Sequence, residues 1–126
     1  MTTEQKFLDD LYFIKSSRTD SVNKLTAQVE INPEHPIFAG HFPGNPILPG
    51  ACTIQILKEL VAEHLGRKVN LSKAANIKYL SFIDPDKNNL VDFIIELKDM
   101  ENGNMSCNAT ITHENTVFCS FKGEFS

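Results

Sequence analysis

One helix-period segment sits in a chain that otherwise alternates. Placing residues 50–66 at 100° intervals gathers Ile54, Ile56, Leu57, Leu60, Val61, His64 and Leu65 on a wide apolar arc. Ala51, Gln55, Lys58, Glu59 and Ala62 fall opposite. The segment opens near Pro49-Gly50 and closes at Gly66 before Arg67-Lys68, a glycine stop followed by basic residues. A helix with so wide an apolar face must be enclosed by something larger. Strands are the only material the rest of the chain offers. Leu25, Ala27, Val29 and Ile31 alternate with Lys24, Thr26, Gln28 and Glu30, the pattern of a strand with one wet face. Val91, Phe93, Ile95 and Leu97 repeat it, as do Met105, Cys107, Ala109 and Ile111, then Val117, Cys119, Phe121 and Phe125. Asn102-Gly103 marks a hairpin between two of these runs and His113-Glu114-Asn115 turns the next. A further strand is expected around residues 76–83, a first one from Leu11, and a short helical turn over residues 3–10. The expected fold class is α+β: one antiparallel sheet wrapped around one long helix.

Length and composition narrow the function. A chain of 126 residues reads as a single domain, 1–126, able to bury a core without staples. A net charge of −4 without a basic stripe argues against a nucleic-acid partner. No apolar run approaches the ~20 residues of a membrane span. The opening Met1-Thr2-Thr3-Glu4-Gln5-Lys6 lacks the pattern of a secretion signal, so a cytoplasmic location is expected. Cys52, Cys107 and Cys119 are odd in number and show no CxxC spacing, so reduced, buried thiols and no metal are expected. Cys52 lies in the first helical turn, where a thiol could be activated, but packing is its expected role.

The chemistry concentrates in residues 33–50, which hold five of the six prolines and three of the six glycines. A loop that rigid, carrying His35 and His41 and feeding a helix start, suits a preformed site. Unpaired N–H groups near Gly50 and Ala51 would point out of the first turn, where the dipole favours negative charge. They could polarise a carbonyl whose α-carbon loses a proton, and glycine at 50 would let a substrate approach closely. The plainer alternative is that Pro49-Gly50 only turns the chain into the helix.

The run Gly40-His41-Phe42-Pro43-Gly44-Asn45-Pro46-Ile47-Leu48-Pro49-Gly50 resembles the signature of the hotdog-fold 3-hydroxyacyl-(acyl carrier protein) dehydratases. Residues 76–85 resemble that family's strand after the helix, and the likeness covers roughly residues 11–125. The resemblance implies a hotdog fold and elimination of water from a 3-hydroxyacyl thioester, in fatty-acid, lipid or polyene biosynthesis. It assigns His41 as catalytic acid/base and Gly50 as the N–H that binds the thioester carbonyl. Phe38, Phe42, Gly44 and Ala51 would then contact substrate, with Phe38 and Phe42 lining an acyl channel or packing in the core. No cofactor is implied; the acyl chain arrives on phosphopantetheine of acyl carrier protein or coenzyme A. The family dimerises edge to edge, the histidine of one copy facing the helix acid of the other, so a homo-oligomer or a pairing with a homologue is implied. Arg67, Lys68, Lys73 and Lys78 are candidates for a rim that meets an acidic carrier.

This chain departs from the pattern in its helix and in its opening segment. Fourteen residues beyond His41 the family has Glu or Asp, and here stands Gln55, which cannot exchange a proton at neutral pH. The family's glutamine one helical turn later is here Glu59, as if the two had been exchanged. Glu59 is therefore a candidate source of the missing carboxylate, against the plainer role of a solvated or lysine-paired helix residue. The segment Phe7–Tyr12 also replaces the family's usual basic, proline-containing opening, which bears on substrate preference. His35 is expected to stabilise the loop, His64 to be a satisfied core residue, and His113 to be exposed in its turn. Three functions compete: a dehydratase, a catalytically impaired thioester-binding subunit that pairs with an active homologue, and a hotdog thioesterase. The intact His41 motif favours the first.

Overall fold

In the computed structural model, which describes residues 10–21, 23–40, 47–87 and 89–126, six antiparallel strands form one sheet. They are β1 (Tyr12–Ser21), β2 (Lys24–Ile31), β3 (Leu71–Tyr79), β4 (Leu90–Asp99), β5 (Met105–His113) and β6 (Thr116–Phe125). Two helices, α1 (Ile37–Gly40) and α2 (Gly50–Leu65), lie between β2 and β3. The strand order is β1-β2-β4-β5-β6-β3. The chain leaves β2 near one edge and re-enters as β3 at the other, so α2 crosses the sheet between them. This is the expected α+β architecture of a sheet around one long helix.

The alternation read from the sequence is what builds the core. Leu25, Ala27, Val29 and Ile31 of β2 are buried with Val91, Phe93, Ile95 and Leu97 of β4. Ala27 stands opposite Phe93 and Val29 opposite Val91, with Phe93 in turn opposite Ile111 on β5. Against this face α2 buries Cys52, Thr53, Ile56, Leu57, Leu60 and Val61. The buried face is therefore turned toward Cys52 and Thr53 relative to the expected arc, and Ile54, Leu65 and His64 are only half-buried. Gly66, at φ 69°, ends the helix: the Gly66 N–H reaches the Glu63 carbonyl and the Arg67 N–H the Ala62 carbonyl. That left-handed closure is one that glycine adopts without strain.

The structure corrects four expectations. The strand after the helix runs over Leu71–Tyr79 rather than 76–83; Leu80 and Phe82 lie beyond it and are 60% and 76% exposed. The proline-rich loop contains a one-turn helix, α1, begun by Pro36, whose preset φ suits a first helical turn. On β6 the alternation slips between Ile111 and Thr112, which pair with Cys119 and Val117. The extra residue is a β-bulge that sends Phe118 inward and leaves Val117 exposed. His113 is not exposed: it closes β5, and its side chain is 15% exposed. Its Nδ1 lies 3.2 Å from Asp92 Oδ2, whose Oδ1 accepts from Gln28 Nε2, so His113 joins β4 to β5 across the ladder. The expected helical turn at residues 3–10, but for Asp10, lies outside the described residues.

Among the described strands, edge strand β3 pairs with β6 alone. Gly123 on β6 pairs with Ala74, and a Cβ there would collide with the Lys73 carbonyl oxygen and the Phe121 ring. Backbone cannot step aside as a side chain can. Gly123→Ala is expected to lower stability by about 1–3 kcal/mol, read as a lower urea midpoint at unchanged m-value. An unchanged midpoint would show that β3 is not pressed against β6 there.

Candidate active site

The start of α2 carries free donors. Pro49 precedes the helix, and its carbonyl accepts from the Cys52 N–H at 2.9 Å and the Thr53 N–H at 3.2 Å. Among the described residues, no side chain caps the helix start. Among the described residues, the N–H groups of Gly50 and Ala51 have no acceptor. Two amides without a described acceptor and the positive end of a sixteen-residue helix lie together there.

A cavity of about 310 Å³ opens beside these donors, lined by Ile47 to Gly50, Thr53, Tyr79 to Ile83 without Leu80, Phe118 and Cys119. Its walls are fixed by backbone bonds. Leu48 N–H donates to the Ile83 carbonyl at 2.9 Å, and the N–H groups of Leu80 and Ser81 both reach the carbonyl of the bulged Phe118. The bulge thus orients the segment that carries Tyr79 and Phe82. Thr53, 3% exposed, is the one buried polar residue among those described. At Gly50 the space a Cβ would fill is already taken by the Tyr79 ring, at 2.7 Å. Glycine here admits the tyrosine as well as any substrate. Tyr79 is 55% exposed, and burial of the ring's surroundings, then the nearby Cys119, pushes its phenol pKa up. Thr53, Tyr79, Phe82 and Phe118 were not singled out from the sequence; the inward turn of Phe118 depends on a bulge that no local motif announces.

Gln55 and Glu59 form a second constellation one to two turns along α2. Gln55 Nε2 donates to Glu59 Oε2 at 3.1 Å. The hydroxyl of Tyr12, a 6% exposed residue at the start of β1, donates to Glu59 Oε1 at 2.6 Å. Glu59 is half-buried and tied across the fold to β1 through Tyr12. The two residues that the sequence singled out as exchanged are therefore in direct contact.

Other candidates separate. Phe38 is 6% exposed and belongs to the core. His35 Nδ1 accepts from the Ile37 N–H at 3.1 Å, capping α1 in the loop-holding role expected of it. Ala51 is exposed beside Gly50. His41, Phe42 and Gly44 lie outside the described residues. Cys52, Cys107 and Cys119 are free and buried. Burial pushes all three thiols up, Cys107 to about 12, which leaves Cys52 protonated and unsuited to nucleophilic work.

A pH effect follows with a definite sign. A thiol whose pKa is higher folded than unfolded favours the fold fully below its unfolded value near 9, and that support is lost as pH rises toward about 12. Stability is expected to fall between pH 9 and 12, and to fall less steeply in Cys107→Ala. Equal slopes for the two proteins would contradict the assignment.

Comparisons with known proteins identify the family and the fold. The family model described as "ApeI-like: ApeI dehydratase" matches residues 16–122. A 3-hydroxyacyl-[acyl-carrier-protein] dehydratase FabZ of Myxococcus xanthus is 33% identical over 61 residues, 48% of this chain and 40% of that protein. The FabZ of Lactobacillus helveticus is 28% identical over 102 residues, 75% of this chain and 66% of the relative. The chain thus spans between two-fifths and two-thirds of the length of these curated relatives. Among solved structures, "The Dehydratase Heterocomplex ApeI:P from Xenorhabdus doucetiae" superposes with a TM-score of 0.72 at 18% identity, covering 90% of this chain and 96% of that one. A mutant thioesterase from Pseudomonas aeruginosa superposes at 0.58 and 10% identity, covering 89% and 78%. Both share the hotdog fold.

Proposed function

The chain belongs to the ApeI-like dehydratase family, and from that premise we propose that it eliminates water from 3-hydroxyacyl thioesters presented by acyl carrier protein. The observation that carries the proposal is the helix start at Gly50 and Ala51, whose N–H groups have no acceptor among the described residues, with Gly50 lining the cavity and the His41 motif preceding it in sequence. A thioester carbonyl against these donors would be polarised, and the enolate oxygen formed on loss of the α-proton would be stabilised. His41 takes that proton as general base. The C–O bond at carbon 3 then breaks, and the hydroxyl needs a proton to leave as water. Gln55 has none to give. The imidazolium of His41 returns the proton it has just taken, so one residue serves both halves of the step and the charges balance. The reaction uses no metal or redox cofactor, and it belongs to fatty-acid or related lipid synthesis in the cytoplasm.

Assembly belongs to the same proposal. Strand β3 is exposed along nearly its whole length, and Tyr79 at its end, with Leu80 and Phe82 just beyond, are large exposed side chains. Such an edge calls for a cover. A second copy or a homologue fits it, bringing a histidine toward the α2 face of this chain. Exposed Arg67, Lys68, Lys73 and Lys78 lie on or just before β3, where an acidic carrier would meet them.

Gln55 favours a second reading, that of an impaired subunit completed by an active homologue. Purified protein incubated with a 3-hydroxyacyl-carrier thioester separates the two. Enoyl product from this chain alone supports the proposal. Product only after a homologue bearing the helix carboxylate is added transfers the chemistry to that partner.

A further inference from the structure

We propose that Glu59, held by Tyr12, fixes the amide of Gln55 so that its carbonyl oxygen faces the substrate and accepts a hydrogen bond from the 3-hydroxyl group. The inference rests on the dehydratase reading for its substrate class, and on the contacts of Gln55 for the rest.

An amide side chain has two ends, a donor and an acceptor, and a neighbour decides which faces outward. Here the neighbour is a carboxylate, which in its ionised form only accepts. Gln55 must turn Nε2 toward Glu59 Oε2, as it does at 3.1 Å, because the reverse would set two oxygens against each other. The choice is enforced only if Glu59 cannot swing away. The Tyr12 hydroxyl holds its other oxygen at 2.6 Å from a different element, β1, and Tyr12 is itself buried. Among the described residues, no donor reaches Gln55 Oε1. The half-buried amide thus shows an acceptor, at the position fourteen residues beyond His41 where the dehydratase pattern places its acid.

The consequence is specificity for a donor. A 3-hydroxyl group offers a proton to Gln55 Oε1. A 3-oxo group offers only lone pairs and meets the carbonyl unfavourably. Tyr12 and Glu59 are positioning residues in this scheme: they act on substrate only through the orientation of Gln55. Glutamine thereby replaces proton donation by recognition of the leaving group.

The test reads binding, so it does not depend on turnover. Affinities of a 3-hydroxyacyl-pantetheine and its 3-oxo counterpart of equal chain length are measured on the His41→Ala protein, which cannot consume the ligand. The expected preference for the 3-hydroxy ligand is about 3- to 10-fold, the worth of one hydrogen bond. Glu59→Gln keeps the shape but lets the facing amide present either end, and should bring the ratio close to one. Tyr12→Phe, which removes one hydrogen bond to Glu59 without altering Glu59 itself, should reduce the ratio by a smaller factor. A merely structural role for these residues would weaken both ligands together and leave the ratio unchanged. Equal binding of the two ligands by the parent protein overturns the inference, as does a preference that survives Glu59→Gln. Turnover without the preference would leave the dehydratase reading standing and this inference refuted. The preference without turnover would do the opposite.

Discussion

Alanine at position 41 is expected to lower kcat for water elimination by ~10²–10⁴-fold, with a much smaller effect on KM. The size follows from the neighbours described on α2, none of which is placed to substitute. Gln55 exchanges no proton at neutral pH. Both carboxylate oxygens of Glu59 accept hydrogen bonds within the fold. Burial holds the Cys52 thiol in its protonated form. The helix-start amides of Gly50 and Ala51 can stabilise an enolate but cannot remove the α-proton that creates it. The control is His113→Gln, which alters a histidine tied to Asp92 on the β4–β5 ladder; its turnover should stay within about twofold of the parent protein. Comparable loss in both variants would move the base away from His41.

Exchanging the two helix residues, Gln55→Glu together with Glu59→Gln, is expected to raise kcat by up to about 10²-fold, the lower end of the value of a general acid. Both hydrogen bonds can survive the exchange, the one between 55 and 59 with its direction reversed. The amide now at 59 can accept from Tyr12 and donate to the carboxyl at 55, so the network itself need not be lost. What changes is that the group facing the leaving hydroxyl can carry a proton. A general acid works only while protonated, so the variant should also gain an alkaline limb in its pH–rate profile, activity falling as pH rises through the new group's pKa. The parent protein should lack that limb. A variant that folds and binds but gains neither rate nor limb would show that position 55 does not face the leaving group.

Much of this architecture was legible because it is periodic. The helix at 50–65 follows from a 3.6-residue pattern bounded by Pro49 and Gly66, and β2, β4 and β5 follow from strict alternation. The edge strand was misplaced because β3 buries almost nothing in this chain: Leu71 to Asn76 are all exposed, and alternation is a signal only where one face is buried. On β6, reading straight through the bulge put Val117 inside in place of Phe118. That extra residue shapes the cavity, since the Phe118 carbonyl holds Leu80 and Ser81. At the site, Gly50 was visible from its place at the helix start, and the pair Gln55 and Glu59 from the resemblance to the dehydratase motif. Tyr12 was not, because it lies 47 residues from Glu59 and meets it only through the fold. Tyr79 likewise reaches Gly50 only once β3 lies against β6 and the chain turns back toward α2.

The central claim is that this chain performs an elimination itself. Its most direct test is the appearance of enoyl thioester when the purified protein alone meets a 3-hydroxyacyl-carrier thioester, followed beside the His41→Ala protein at equal concentration. The account predicts steady product from the first and at least about 10²-fold less from the second. No product from the parent protein, under conditions where it binds the substrate, would contradict it.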